Sequence, residues 1–371
     1  MTIVPAPPLP TSDLSAASHD AHLESYLLAV LSDSNLPTGG FVASSGLEAW
    51  IQHGYLALAP SPLAAGPPAT PPPDKALLAF VAHSLHSYAR VNAPLLRAAH
   101  AAVWALRSPP SRSSSPSTST SSSLPTALAS TLAADQLADS LTLNHVARRA
   151  SVAQGNALLT LYERAFAPPP GEGGGEVGEQ AVREFVKEYR ARVRRTSGTA
   201  TGKGKEGEGE AYGHMTVAFG VLTAGVGLRI DSALPLLLFL HARSLLSSAV
   251  RLNTVGPYLA HRMLLWDVRP LVDEAAAAVA GGGAGGGGLA RSGGAREGAE
   301  LEERSQEKQE KDWWDSDPFW APIWKDDPLV HPPPAGGPGE GAGCGTPVTT
   351  WPLGEIVASR HDQLFTKVFN S

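Results

Sequence analysis

The chain turns sharply at Leu36-Pro37-Thr38-Gly39-Gly40-Phe41, and this stretch separates two helical patterns. Before it, apolar residues recur at three- and four-residue spacing, which predicts a helix over about 24–31. The proline and the glycine pair each favour turn geometry. After the turn, a second helix is predicted over 44–53, with Gly54 as its C-terminal stop. The chain therefore begins as two helices joined by a tight turn.

The rest of the chain repeats this helical pattern between segments of low complexity. No useful alternation of apolar and polar residues predicts a strand, so we expect an all-α fold, a single domain of about eight to ten helices over 21–371. Residues 1–20 are predicted to form a flexible arm. Pro, Ser, Gly or charged residues dominate six further stretches, which we interpret as disordered inserts: 59–73, 108–123, 168–178, 196–210, 280–312 and 332–347.

Composition and charge narrow the classes of function. The formal net charge is −6, which argues against a nucleic-acid-binding protein, because such proteins usually carry a basic excess. The single cysteine, Cys344, allows neither an intramolecular disulfide nor a cysteine-based zinc site. The segment 1–10 has no Arg or Lys, and the longest apolar run, 234–240, is far shorter than the ~20 residues of a membrane-spanning helix. We therefore expect a soluble cytoplasmic protein, with neither a nucleic-acid nor a membrane partner.

Motifs of catalysis are incomplete in this chain. The sequence Ser44-Ser45-Gly46 lacks the glycine that a nucleophile elbow places two residues before its serine, so Ser44 is interpreted as a helix N-cap. The stretch 198–205 resembles a phosphate loop, but it is one residue short and has Gly204 where a Ser or Thr would hold Mg²⁺. We therefore predict no catalytic residue and no enzymatic activity.

Histidines supply an alternative hypothesis. His83 and His86 lie at positions i and i+3 of a predicted helix, a spacing that can chelate a metal ion, although no third ligand is near in sequence. Partly exposed surface histidines are the plainer interpretation. His214 is isolated in sequence, and folding could bring it to other histidines. The alternative function is an uncharacterised metal-dependent or hydrolytic enzyme that uses these three side chains.

Five blocks of sequence, in order along the chain, are similar to those of the UreF family of urease accessory proteins. Each block alone is too short to identify the family, so the order of the five blocks along the chain is as informative as their residues. The chain is therefore identified as a UreF-like protein, and the low-complexity inserts are typical of a eukaryotic, fungal-type version. The blocks are Leu31–Phe41 followed by Ser45–Glu48, then Arg148–Leu159, His214–Gly220, Ser247–Leu252 and Ser359–Ser371.

This resemblance implies a non-catalytic scaffold. Proteins of the family bind the accessory protein UreD, called UreH in some organisms, and then recruit the GTPase UreG. The assembly inserts Ni²⁺ into apo-urease. The resemblance also implies that this chain has no cofactor of its own, since the complex carries the nickel and UreG binds the GTP. A homodimer is a further possibility that the family suggests.

The block residues are the candidates for partner binding. Arg148, Arg149 and Arg251 lie in otherwise apolar helices, so each needs a carboxylate or carbonyl partner, either within the fold or across an interface. The tail 359–371 could order on binding UreD, or it could dock on its own domain. The candidate partner-binding residues are Gly39, Gly40, Phe41, Glu48, Arg148, Arg149, His214, Arg251, Arg360, His361, Leu364, Phe365 and Phe369.

Overall fold

The structure is a computed structural model, and it describes six parts of the chain. The predicted inserts fall almost entirely in the gaps between these parts, so most of that prediction lies outside the described residues. The same holds for the first ten residues of the predicted N-terminal arm. The described parts are 11–56, 73–107, 124–167, 177–199, 211–280 and 347–370.

The described residues form eleven α-helices and no strand, which confirms the prediction of an all-α fold. A 3-10 turn at Gly40–Val42 follows α1, a π-helical turn at Tyr162–Phe166 extends α5, and a second 3-10 turn at Arg360–Gln363 follows α11. The helices are α1 (Thr11–Leu31), α2 (Leu47–Gln52), α3 (Pro73–Arg107), α4 (Leu124–Leu141), α5 (His145–Leu161), α6 (Val177–Thr199), α7 (Met215–Val226), α8 (Ile230–Arg251), α9 (Pro257–Trp266), α10 (Val268–Ala278) and α11 (Pro352–Ser359).

Helix α3 is the centre of the fold. It packs against α4, α6, α7, α8 and α10, and Leu77, Leu85 and Leu96 on it are fully buried. We expected Pro94 to kink or end this helix; α3 runs past Pro94 to Arg107. Helix α7 packs beside α3 and α5 and is buried from Thr216 to Gly225. The core is therefore made where the long α3 and the apolar α7 meet.

Two helical glycines allow the backbones in this core to approach closely. A Cβ at Gly155 of α5 would run into the carbonyl of Gly213, just before α7. A Cβ at Gly220 of α7 would lie 2.8 Å from the carbonyl oxygen of Leu96 in α3. Such contacts are closer than any side chain permits, so the glycines fix how near α7 lies to its neighbours.

Helix boundaries differ from the sequence prediction at two inserts and at the arm. Helix α1 begins at Thr11, so the predicted arm of 1–20 is helical in its second half. Helix α6 begins at Val177 and ends at Thr199, so it extends into the predicted inserts 168–178 and 196–210. Helix α6 extends into this low-complexity sequence because its apolar face packs on the core, where Val182, Phe185 and Tyr189 are fully buried.

The predicted N-cap role of Ser44 is wrong. Helix α2 begins at Leu47, its N-cap is Gly46 at φ +85°, and no side chain caps it. Ser45 also has a positive φ, of 51°. Two consecutive residues in the left-handed region therefore change the direction of the chain before the helix begins. Ser44 itself is fully buried, and its hydroxyl has no hydrogen-bond partner.

Helix α8 is longer and more apolar than the short run at 234–240 suggested. Among the described residues it is the helix whose length and composition would suffice to cross a membrane. Of its most apolar 18-residue window, 56% is buried inside the fold. This burial, against α3, α9 and α10, is what the core helix of a folded domain shows.

His241 of α8 should make stability depend on pH. Its Nε2 lies 2.9 Å from Ser84 Oγ and its ring stacks on Tyr88 at 4.0 Å, and burial lowers its pKa from 6.5 to about 4. Between these two pH values the unfolded chain binds a proton that the folded chain does not. Stability should therefore fall as pH drops from 6.5 to 4, by up to about 1.4 kcal/mol per pH unit.

Urea unfolding at a series of pH values from 7 to 4 would measure this effect. His241→Gln removes the titrating group, so we expect a flatter dependence of the unfolding free energy on pH. Burial also lowers the pKa of His86 and of His100, so some slope should remain in the variant. Equal slopes in the unmodified chain and the variant would contradict the assignment.

Candidate partner-binding face

A buried carboxylate holds the C-terminal tail on the body of the protein. Glu48 of α2 is fully buried, and its Oε2 lies 2.9 Å from His361 Nε2 and accepts the Phe369 N–H at 3.1 Å. Its Oε1 accepts the Val368 N–H at 2.6 Å and the Gln52 side-chain amide at 3.3 Å. A carboxylate can only accept, so His361 Nε2 carries the proton in this pair. One side chain thus joins the turn block to the tail block.

Backbone and amide groups complete the attachment of the tail. Gln52 donates its side-chain N–H to the Thr366 carbonyl at 2.7 Å. The Asn370 N–H donates to the Val42 carbonyl at 2.9 Å. Phe369 is buried, with 3% of its surface exposed, and Leu364 packs partly buried against the core. Of the two alternatives for the tail, the structure shows docking on its own domain.

Arg251 lies between two aromatic rings from opposite ends of the chain. Its guanidinium carbon is 5.7 Å from the ring centre of Phe41 and 5.7 Å from that of Phe369. It also donates a hydrogen bond to the Phe41 carbonyl. Cation–π contacts of this kind are worth about 0.5–1 kcal/mol each at exposed sites. Arg251 therefore finds its partners within the fold.

Arg149 makes a second link, from α5 to the tail. Its guanidinium bonds both oxygens of Asp362, at 3.2 and 3.4 Å, and reaches the Asn370 carbonyl at 3.3 Å. His145 Nε2 lies 3.1 Å from the same carboxylate, and the Lys367 ammonium lies 3.9 Å from it. The hydrogen bond from Arg149 is the main reason that the pKa of Asp362 lies below its ordinary value.

The docked tail leaves apolar side chains in solvent. Phe365 is fully exposed, Val368 is 63% exposed and Phe41 is 62% exposed. Arg360, on the turn after α11, is exposed as well. We call the surface formed by Phe41, Phe365, Val368 and the cations Arg149 and Arg251 the tail face. Exposed apolar groups rimmed by charge are typical of a protein-binding surface.

The two glycines of the turn have different roles. Gly39 has φ +72°, a left-handed conformation that favours glycine, and open space lies where its Cβ would be. A Cβ at Gly40 would lie 3.2 Å from the Gln154 side chain of α5. Gly40 therefore allows the turn to lie against α5, whereas Gly39 is required by the backbone of the turn.

His214 and Arg148 belong to a different, buried network. His214 is 1% exposed; its Nδ1 lies 3.1 Å from Ser151 Oγ and its Nε2 lies 3.2 Å from Asp139 Oδ1. The Arg148 guanidinium lies 3.3 Å from the Asp139 carboxylate and donates a hydrogen bond to the backbone carbonyl of Asp139 at 2.7 Å. Ser151 also accepts the Met215 N–H, so its own proton is free to go to His214. This network orients the start of α7.

Asp135 completes the network and was missed by sequence analysis. It is fully buried and accepts three backbone N–H groups, from Tyr212 at 2.7 Å, Gly213 at 2.9 Å and His214 at 2.9 Å. A signal existed, because residues 128, 131, 132, 135 and 138 share the apolar face of α4. A carboxylate on such a face must have partners in the interior.

Four of the candidate residues are therefore buried. Glu48, His214 and His361 have no more than 1% of their surface exposed, and Phe369 has 3%. In this fold they cannot touch a partner directly, and they hold the tail or α7 in position instead. Direct contact stays possible for the exposed candidates Phe41, Arg149, Arg251, Arg360 and Phe365.

The structure does not bring the three histidines of the alternative hypothesis to one site. The His83 ring lies 6.0 Å from that of Trp351, and His86 Nε2 lies 4.0 Å from Glu274. His214 is held in the separate network with Asp139. Within the described parts of the chain, no group of three or more His, Cys, Asp or Glu side chains is arranged to hold a metal ion. The alternative gains no support from these residues.

The profile of the UreF family matches residues 74–266. This region contains three of the five blocks, together with most of the core. The chain belongs to the UreF family of urease accessory proteins, which confirms the identification made from the sequence blocks.

Two fungal relatives extend the similarity beyond that region. The chain is 32% identical to "Urease accessory protein 6" of Cryptococcus neoformans var. grubii over 361 residues, which are 94% of this chain and 97% of the relative. It is 25% identical to an "Uncharacterized urease accessory protein UreF-like" of Schizosaccharomyces pombe over 239 residues, 64% of this chain and 76% of the relative. The first of these alignments is long enough to include nearly all of the chain.

Proposed function

We propose that this chain is a non-catalytic scaffold of urease maturation, which binds UreD (UreH) and the GTPase UreG and holds them on apo-urease. In this function the assembly carries the nickel, UreG binds the GTP, and the chain needs no cofactor of its own. A second copy of the chain is a further candidate partner.

One observation carries the proposal. Residues from four of the five blocks, those of the turn, α5, α8 and the tail, come together near Glu48 and form the tail face, whereas His214 of the remaining block lies in a separate buried network. Buried polar groups hold the tail, which leaves Phe365 and Val368 exposed, and Phe41 is exposed on the turn to which the tail is bonded through the Asn370 N–H and the Val42 carbonyl. A rigid surface with exposed aromatics and arginines suits protein recognition, because aromatic and arginine side chains contribute most of the energy at many interfaces.

Complementation tests the role, and affinity tests the surface. Expression of the chain in cells that lack UreF should restore urease activity. Phe365→Ser should lower the affinity for UreD by about tenfold or more, since truncation of an aromatic at an interface often costs more than 1 kcal/mol. Isothermal titration calorimetry with purified UreD would measure the change.

The matched control is Leu137→Ser, on α4. Leu137 is 42% exposed and lies on α4, which packs on α3, α6 and α7, so UreD affinity should be unchanged. Because Phe365 is fully exposed, its replacement should also leave the unfolding free energy unchanged. The proposal fails if UreD, UreG and apo-urease all fail to bind the unmodified chain. If Phe365→Ser bound UreD with the same affinity as the unmodified chain, the tail face would not be the UreD-binding surface.

A further inference from the structure

Helix α9 is apolar on two opposite faces, and one of these faces is in solvent. Ala260 and Met263 are buried, which orients the inner face toward α8 and α10. On the outer face Tyr258 is 93% exposed, Leu265 is 56% exposed and Trp266 is 69% exposed. Packing against the domain therefore explains why the inner face of α9 is apolar, but it does not explain the exposed apolar side chains of the outer face.

The outer face also carries positive charge. His261 and Arg262 are exposed between the aromatic residues. With Tyr258, Leu265 and Trp266 they recur at three- and four-residue spacing, so all five side chains lie along one side of the helix. We call this surface the α9 stripe.

The α9 stripe is held on a rigid part of the fold. Pro257 occupies the first turn of α9, where its fixed φ suits the helix, and Gly256 precedes it in extended conformation. The helix packs against α8 and α10, whereas the tail packs against α2 and α5. The stripe and the tail face thus share no side chain, although Arg251 of the tail face lies on α8, against which α9 packs. A side chain on a rigid helix loses less freedom on binding than one on a loop.

We infer that the α9 stripe is a second protein-binding surface, which takes an apolar groove flanked by acidic side chains on a partner in the urease maturation assembly. The inference rests on the proposed function. Tyr, Trp and Arg are the residue types enriched where binding energy concentrates. The positive charge of Arg262 calls for carboxylates on the partner.

Other occupants fit this surface less well. Two copies related by a twofold axis through the stripe would place Arg262 near its own equivalent, and like charges repel. Stable attachment to a membrane needs more than one short basic and aromatic patch. An acidic protein groove satisfies both the aromatic and the cationic groups.

Two variants of the full-length chain test this surface. Trp266→Ala removes the largest apolar group and Arg262→Glu reverses the charge. UreD, UreG and apo-urease from the same organism would each be titrated calorimetrically at low and high NaCl. We expect each variant to lower the affinity for the same one of these proteins by about thirtyfold. Salt should weaken that interaction in the unmodified chain more than in Arg262→Glu.

Two control variants make the result specific. Arg194→Glu reverses the charge of an exposed arginine on α6 and should leave all three affinities unchanged. Phe365→Ser should affect only the partner of the tail face. Thermal unfolding of Trp266→Ala and Arg262→Glu should match that of the unmodified chain, because both side chains are exposed.

Four outcomes would overturn the inference. The first is that both variants bind all three proteins as the unmodified chain does, which leaves the proposed function intact. Binding of the chain to phosphatidylserine vesicles that is lost in Trp266→Ala would assign the stripe to a membrane. Self-association that is lost in Trp266→Ala, measured by sedimentation equilibrium, would assign it to a second copy. Failure of the unmodified chain to bind any of the three would overturn the proposed function as well.

Discussion

Glu48→Gln should destabilise the protein by about 3–5 kcal/mol and release the tail, because the substitution leaves two hydrogen-bond donors around a buried side chain without an acceptor. Each oxygen of Glu48 accepts two hydrogen bonds. A glutamine would turn an N–H group toward one pair of donors, whichever way its amide is oriented. The loss is large because Glu48 is fully buried, so water cannot replace the missing acceptor.

Urea unfolding and amide hydrogen exchange would measure these effects separately. The first gives the loss of unfolding free energy, and the second should show faster exchange at the Val368 and Phe369 amides. Asp273→Asn is the matched control, since this carboxylate is 72% exposed and pairs with Arg269 only at 3.9 Å. It should change stability by no more than about 0.5 kcal/mol. Slow exchange at both tail amides in Glu48→Gln would show that other contacts hold the tail.

Asp135→Asn should lower the free energy of unfolding by a similar amount, about 3–5 kcal/mol. Asp135 supplies all of the acceptors for three successive backbone N–H groups before α7. The amide of asparagine would oppose at least one of these donors. The negative charge also lies at the N-terminus of α7, where the helix dipole favours it.

Asp231→Asn provides the comparison for Asp135. Asp231 lies in the first turn of α8, so it too is an acidic residue at a helix N-terminus, but it is exposed. We expect a loss of no more than about 1 kcal/mol in that variant. Chemical denaturation of both variants would decide the matter. Equal losses would mean that the dipole, and not the three hydrogen bonds, accounts for the role of Asp135.

Much of the fold could be predicted from local sequence. The turn at Leu36–Phe41, the end of α8 before Gly256 and the absence of strands from the described parts follow from spacing and from turn residues. Boundaries were less accurate where burial decided them. Helix α6 is longer than expected because its apolar face packs on the core, and α3 passes Pro94 because its neighbours hold it on several sides.

The candidate site was predicted in part. The sequence blocks pointed to Glu48, His361 and Arg251, but as contacts for a partner. In the fold, Glu48 and His361 are buried and share a hydrogen bond that attaches the tail to α2. Asp135 and Asp139 were not singled out, although the position of Asp135 on the apolar face of α4 was a signal. The reason is that a buried carboxylate can be recognised only when its donors are known, and those donors lie far along the chain.

The amino-acid sequence by itself determined the class of this protein. Helical spacing excluded strands, and five blocks in order identified the UreF family. Only the tertiary structure decided which block residues support the surface and which form it. Glu48 and His361 are 313 positions apart in the sequence, yet their side chains share a hydrogen bond of 2.9 Å. Such pairing depends on how helices pack, because spacing along the chain reports local geometry and not contacts between distant elements.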